Sequence, residues 1–409
     1  MSLTTYLRLT LGFVLIDAIV IGLLYSMQMA TSVTPAFLAA RLIVDILFVV
    51  TNADRLSLKL RDGVMIFWLF GAGLAGVIFS LSGIGTYSAT RAASDVVLPM
   101  LFILKVALII RLLPDLKEIG AEVRLLVRWL VIGSIIQIAI FLTVGKVFGA
   151  YTGIAVPATL PMADALARSS ITLGLLMTTL VLASGKRAIL LSVFAAVAIS
   201  IVNARRRFLA IGGATFVALL LVALAPMFEG TISKFEATIS AVEDLEDLAT
   251  RGPMAIFDDE IRASLYLVSA GRSEEFYSII LAMEPVNYLV GLGAGFTYEY
   301  AHTEGVVQGY ANSHFSPLSL TYKFGLTFCI AFYLYAFRHV FSLIRTSEPV
   351  SRLIGFALLM LAVQSMFAFN LFAEPLLPVL TAMAAFRFGE RYGEAGRVKQ
   401  REVGATSAG

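Results

Sequence analysis

Two arginines, one histidine and a run of glycines are the residues whose types and spacing could do chemistry in this chain. Arg272, the glycines Gly291, Gly293 and Gly295, and the triplet Asn312-Ser313-His314 lie in or at the edge of one polar island, residues 226–313. Arg187 stands earlier, in Ser184-Gly185-Lys186-Arg187. The planar fork of arginine suits phosphate oxygens. A histidine titrating near neutrality can take the proton of an attacking hydroxyl. Glycines at alternate positions allow tight curvature and the close approach of a ligand. Each residue also has a plainer reading. Arg187 could be a topogenic or headgroup charge, Arg272 a salt-bridge partner of Glu275 or Glu236, and His314 a helix N-terminal residue satisfied by backbone.

The elements that must position these residues are membrane helices. Apolar residues make up 59% of 409 and charged residues only 14%, with a mean hydropathy of +0.87. A soluble domain averages roughly 45–50% apolar and about 25% charged. Apolar runs of a length that crosses about 30 Å of hydrocarbon recur along the chain. Eleven candidate crossings follow: 9–28, 35–51, 63–81, 94–113, 125–144, 166–184, 188–203, 208–225, 315–337, 351–370 and 374–388. The first is too long for a signal peptide and has no clear small-residue cleavage site, so it reads as a retained helix. The expected fold is an all-α polytopic bundle of 11–12 transmembrane helices with one large external loop subdomain. Residues 1–225 form the N-terminal bundle, 226–313 the loop, and 314–409 the last helices with a basic tail.

Charge gives the orientation. The island carries 14 acidic and 4 basic residues, and the rest of the chain is correspondingly basic. Arg8, the Arg55/Lys59/Arg61 group, the 111–128 stretch, Arg205-Arg206-Arg207, the 338–352 loop and the tail read as cytoplasmic. Eleven crossings cannot put both termini inside, so a twelfth, short or broken passage is expected within residues 146–186. Several charges fall inside crossings: Asp17, Arg41, Asp45, Asp95, Lys105 and Lys323. Arg41 with Asp45, and Arg91 with Asp95, are spaced to neutralise each other on one helix face. An ion or proton pathway is the functional alternative.

Other classes find little support. No basic stripe with interleaved aromatics points to nucleic acid. His302, His314 and His339 form no metal-site spacing, and Cys329, the single cysteine, sits in an apolar run. There is no internal repeat with paired broken helices, which speaks against a transporter. The 291–295 glycine run opens no βαβ unit, so it is not a dinucleotide fingerprint. Within the island, 232–249 reads as a solvated amphipathic helix. Residues 262–283 read as a second helix with Arg272, Phe276, Ile279 and Ile280 on one face, broken at Glu284-Pro285. A polar stretch leads from the glycines to Tyr310.

Three segments in order resemble the O-antigen polymerase and O-antigen ligase superfamily of bacterial envelopes. Ser184-Gly185-Lys186-Arg187 is similar to its Ser-x-x-Arg element. The segment with Gly271-Arg272, Phe276, Pro285 and Gly291-Leu292-Gly293 is similar to its Gly-Arg, aromatic, Pro and Gly-x-Gly block. Asn312-Ser313-His314 followed by Lys323-Phe324-Gly325-Leu326 resembles its histidine element and the Gly-Leu turn after it. The likeness covers roughly residues 180–345. It implies a multi-pass glycosyltransferase of the bacterial inner membrane with its active site on the periplasmic face. The implied donor is an undecaprenyl-diphosphate-linked oligosaccharide and the acceptor a second lipid-linked glycan. Lipid A core is the acceptor in the ligase alternative, and a flippase of the same glycan is a second alternative. Implied partners are membrane lipid and other polysaccharide-assembly proteins, such as a flippase or chain-length regulator. The expected site is His314 as base, Arg187 and Arg272 on the diphosphate, and Gly291, Gly293, Gly295 and Asn312 against substrate. No cofactor and no metal is expected, because cationic side chains can neutralise a diphosphate leaving group.

Overall fold

The computed structural model describes residues 1–27, 34–81, 86–115, 119–145, 156–184, 186–203, 272–302, 305–310, 315–367 and 371–389. Most of these are helical. Among them, five helices are long and apolar enough to cross a membrane: Leu3–Leu24, Leu60–Ile78, Ala89–Asp115, Ile119–Val144 and Ser316–Ile344. Large apolar side chains stand exposed along them, Phe67 at 79% and Leu74 at 63%. Such faces suit lipid rather than water. The chain is an integral membrane protein.

Four shorter apolar helices, Ile171–Ser184, Ala188–Val202, Pro349–Ser365 and Leu377–Gly389, fall on the expected crossings at 166–184, 188–203, 351–370 and 374–388. The candidate crossing at 208–225 and the amphipathic stretch at 232–249 lie outside the described residues. Within 146–186, the described part holds a ten-residue helix, Thr159–Arg168. At about 1.5 Å per residue it reaches only half the hydrocarbon thickness. It ends at Ser169, which adopts the left-handed conformation with φ 56°, and it packs extensively on Pro349–Ser365.

The expected basic loops around 55–61 and 111–115 meet at one end of the bundle, while Arg205-Arg206-Arg207 lies outside the described residues. Arg55 pairs with Asp115 at 2.6 Å, Arg111 donates to Ser57 Oγ at 2.9 Å, and the Arg61 guanidinium lies 4.2 Å from the Tyr335 ring centroid. The helix Ala89–Leu112 carries Arg111 at this end. Asp95 lies sixteen residues earlier on the same helix, about 24 Å away along its axis.

At that second end stands a feature absent from the all-helical expectation. Strand β1 (Thr86–Tyr87) pairs antiparallel with β2 (Phe296–His302), which pairs antiparallel with β3 (Gly305–Tyr310). The segment read as a polar stretch is therefore a hairpin. Its aromatics Phe296, Tyr298 and Tyr300 and its valines Val306 and Val307 are residue types that favour a strand over a loop. The preceding helix, Arg272–Ala282, ends before Glu284-Pro285 as expected. Its buried side differs from the expected one. Glu275, Ile279 and Met283 are inside, while Phe276 is 38% exposed and meets Phe315 edge-on. The helix docks on β2, and that contact rather than apolar spacing selects the face.

The long helix Ser316–Phe337 is interrupted at Gly325, where φ is 84° and ψ 159°. The break leaves backbone carbonyls without helical partners, and in an apolar bundle each needs a substitute. Leu292 donates to the Tyr322 carbonyl at 2.8 Å and Gly293 to the Lys323 carbonyl at 3.0 Å. The Trp68 indole donates to the Phe324 carbonyl at 2.8 Å. A Cβ on Gly325 would overlap the Leu289 carbonyl oxygen. Gly325→Ala is therefore expected to lower stability by about 1–3 kcal/mol, read as a reduced unfolding midpoint in detergent. The same substitution at Gly63, which has open space around it, serves as the control.

Candidate functional site

Two membrane-embedded carboxylates find close partners on other helices. Asp45 accepts from Lys105 Nζ at 2.6 Å and from the Tyr6 hydroxyl at 2.8 Å. Asp95 accepts from Lys323 Nζ at 2.6 Å and from the Gly295 N–H at 3.0 Å. Each carboxylate thus takes a close cation from another helix, in addition to the arginine one turn away that the spacing suggested. The lysines reach them because the helices pack closely, and sequence spacing carries no trace of that.

Two cavities lie near this region. The smaller, about 30 Å³, is lined by Asp95, Lys323, Ser316, Ser319, Leu371 and Phe372. That is room for about one water. Ser316 is 4% exposed, and its hydroxyl finds no partner among the described residues. The larger, about 360 Å³, has Asp17, Arg41, Lys186, Gln364 and Glu374 in its lining. A π-helical turn, Asp17–Ile21, interrupts the first span where Asp17 enters this cavity. Such turns insert one extra residue and often stand at functional sites. One short segment serves both cavities: Leu371 and Phe372 line the smaller, and Glu374, Pro375 and Leu376 the larger.

The expected site residues relate to these cavities as follows. Arg187 opens the helix Arg187–Asn203, between Lys186 and Ala188, both in the larger lining. Arg272 opens the helix that docks on β2. The side chains of both arginines lie outside the described residues, as do Asn312 and His314. The chain resumes at Phe315 and leads directly to Ser316 in the smaller cavity. Gly291, Gly293 and Gly295 have φ of 82°, 99° and 91°. The close approach they permit is made by the protein itself: a Cβ on Gly293 would overlap the Gly76 backbone, and one on Gly291 the Lys323 carbonyl. The run thus fastens the loop to two spans and presents the Gly295 N–H to Asp95.

Sequence reading did not single out Gln364 or Glu374. Gln364 Nε2 donates to Thr159 Oγ1 at 3.1 Å and Ser192 Oγ at 2.9 Å. Glu374 Oε1 accepts from the Leu376 N–H at 3.2 Å. The available signal was an ionisable residue beside a proline at the mouth of an apolar run.

Comparison of the chain with protein-family models, with curated proteins and with solved structures finds no match.

One outcome follows from this geometry. The Lys323 and Asp95 side chains are only 3% and 9% exposed, so Lys323→Met alone strands a buried carboxylate and is expected to cost about 3–5 kcal/mol. Adding Asp95→Leu should restore most of that loss, read as a double-mutant cycle of unfolding midpoints.

Proposed function

We propose that this protein is a bacterial surface-polysaccharide polymerase. It transfers glycan from an undecaprenyl-diphosphate carrier to a lipid-linked acceptor at the external face of the inner membrane. The observation that carries this reading is the shared segment 371–376. The Arg187 element approaches the cavity on one side of it, and the chain leaving His314 enters the cavity on the other. Cations and a base brought to adjoining cavities suit a single displacement. Both cavities also lie away from the end where the basic loops gather, which agrees with an external site by the positive-inside rule.

In the proposed step the bond between the anomeric carbon and the diphosphate oxygen breaks, and its electron pair leaves with the diphosphate. The acceptor hydroxyl oxygen bonds to that carbon, and its proton passes to His314. Arg187 and Arg272 neutralise the departing charge, and Asn312 orients the acceptor. The proposed topology has twelve crossings, with both termini cytoplasmic and residues 226–313 outside.

A charge-lined cavity inside the bundle also favours a second reading, movement of the same lipid-linked glycan across the membrane. Purified protein with lipid-linked oligosaccharide separates the two, since only a transferase lengthens the glycan in detergent. Within the transferase reading, a deletion strain carrying single repeats on lipid A core supports a polymerase, and long lipid-linked chains without core attachment support a ligase. Alanine at Arg187 or Arg272 should lower transfer about 10²–10³-fold, and lysine should restore little because it lacks the bidentate fork. His314→Ala and His314→Gln should both lose about 10²–10⁴-fold. Near-normal transfer by the glutamine variant would make His314 a helix cap rather than a base. Chelation is expected to leave transfer unchanged.

A further inference from the structure

The lining of the larger cavity bears on which part of a substrate it takes. Its volume, about 360 Å³, falls at the lower end of ligand pockets, roughly 300–1,000 Å³. Two cations, Arg41 and Lys186, share it with two carboxylates, Asp17 and Glu374, and one amide, Gln364. The formal charge of the described lining therefore sums to zero. A diphosphate site needs a surplus of cations, since its ligand brings at least two negative charges. A site for a polyprenyl tail needs none of these five polar groups, whose burial without partners is costly.

A sugar ring meets both conditions. It is uncharged, and every hydroxyl donates one hydrogen bond and accepts others. Carboxylates accept from it, while a guanidinium and an ammonium donate to it. The wall also carries Phe13, packed edge-on against Phe37 with centroids 5.4 Å apart. Such a wall suits the C–H face of a sugar.

We propose that this cavity binds a neutral saccharide unit, with Asp17, Arg41, Gln364 and Glu374 hydrogen-bonding its hydroxyls and Phe13 against its ring face. The proposal deepens the transferase reading and rests on it for why a saccharide reaches the bundle. The polar groups are held ready. The Gln364 amide is oriented by Thr159 and Ser192, and Glu374 by the Leu376 N–H. Pre-orientation of this kind is what makes a polar site selective. The diphosphate is left to Arg187 and Arg272.

The test is direct binding to the purified full chain in nanodiscs, by saturation-transfer NMR. The probes are glucose, galactose, mannose and N-acetylglucosamine, with inorganic pyrophosphate measured in parallel. At least one sugar should bind, and Asp17→Asn, Arg41→Gln and Glu374→Gln should each weaken it about tenfold or more. Ala188→Leu keeps every charge and crowds the cavity, so it should weaken sugar binding even if a charge variant fails to fold. The proposal is overturned if no sugar binds, if sugar binding survives Ala188→Leu, or if only pyrophosphate binds and Arg41→Gln abolishes it. Because binding is read without turnover, a chain that binds sugar but transfers nothing sinks the transferase reading alone. A chain that transfers glycan but binds no sugar here sinks only this site.

Discussion

A backbone carbonyl freed inside an apolar bundle must find another donor, and that requirement organises this molecule. The break at Gly325 opens the helix Ser316–Phe337 and exposes the carbonyls of Tyr322, Lys323 and Phe324. Their donors come from two distant places, the 291–295 glycine run and Trp68. Satisfying them pulls the glycine run onto the helix Leu60–Leu81, where Ala294 donates to the Ala72 carbonyl at 3.0 Å. The hairpin follows, because Phe296 continues directly from Gly295 and pairs with Tyr87. With the run in place, the Gly295 N–H meets Asp95, and Asp95 can hold Lys323. One interrupted helix thereby ties three spans and the small sheet together.

The aromatic packing beneath this joint fixes the segment between the cavities. Phe102 and Phe332 lie 5.1 Å apart, and Phe372 meets Phe332 at 4.9 Å. Phe372 belongs to the short turn Leu371–Ala373 that precedes Glu374. The position of Glu374 in the larger cavity is therefore set by rings packed against the smaller one. A wall anchored in this way keeps polar groups in place without a soluble domain to brace them.

Much of the scaffold was legible in the sequence, because length and apolarity are local properties. The runs at 9–28, 63–81, 94–113, 125–144 and 315–337 correspond to the five long apolar helices. The helix stop at Glu284-Pro285 was legible for the same reason, since proline acts on its immediate neighbour. The partners of Asp45 and Asp95 were not. Spacing along one helix suggested Arg41 and Arg91, but the lysines that bind are 60 and 228 positions away. The glycine run was recognised as a place of close approach, but not that the approaching atoms are the protein's own backbone. The hairpin went unread because polar residues alternate with its aromatics. Gln364 and Glu374 carry no motif at all, and only the packing of separate helices makes them neighbours.

The separation of Asp95 from Lys323 has a consequence for how the protein is made. Ribosomes add about 5–20 residues per second. Lys105 thus follows Asp45 into the membrane after about 3–12 s, whereas Lys323 trails Asp95 by about 11–46 s. For that interval the helix carrying Asp95 lacks its interhelical cation, and Arg91, one turn earlier on the same helix, is the nearest basic residue along the chain already made. Any ribosome stall before residue 323 leaves a membrane protein with its first ion pair closed and its second open.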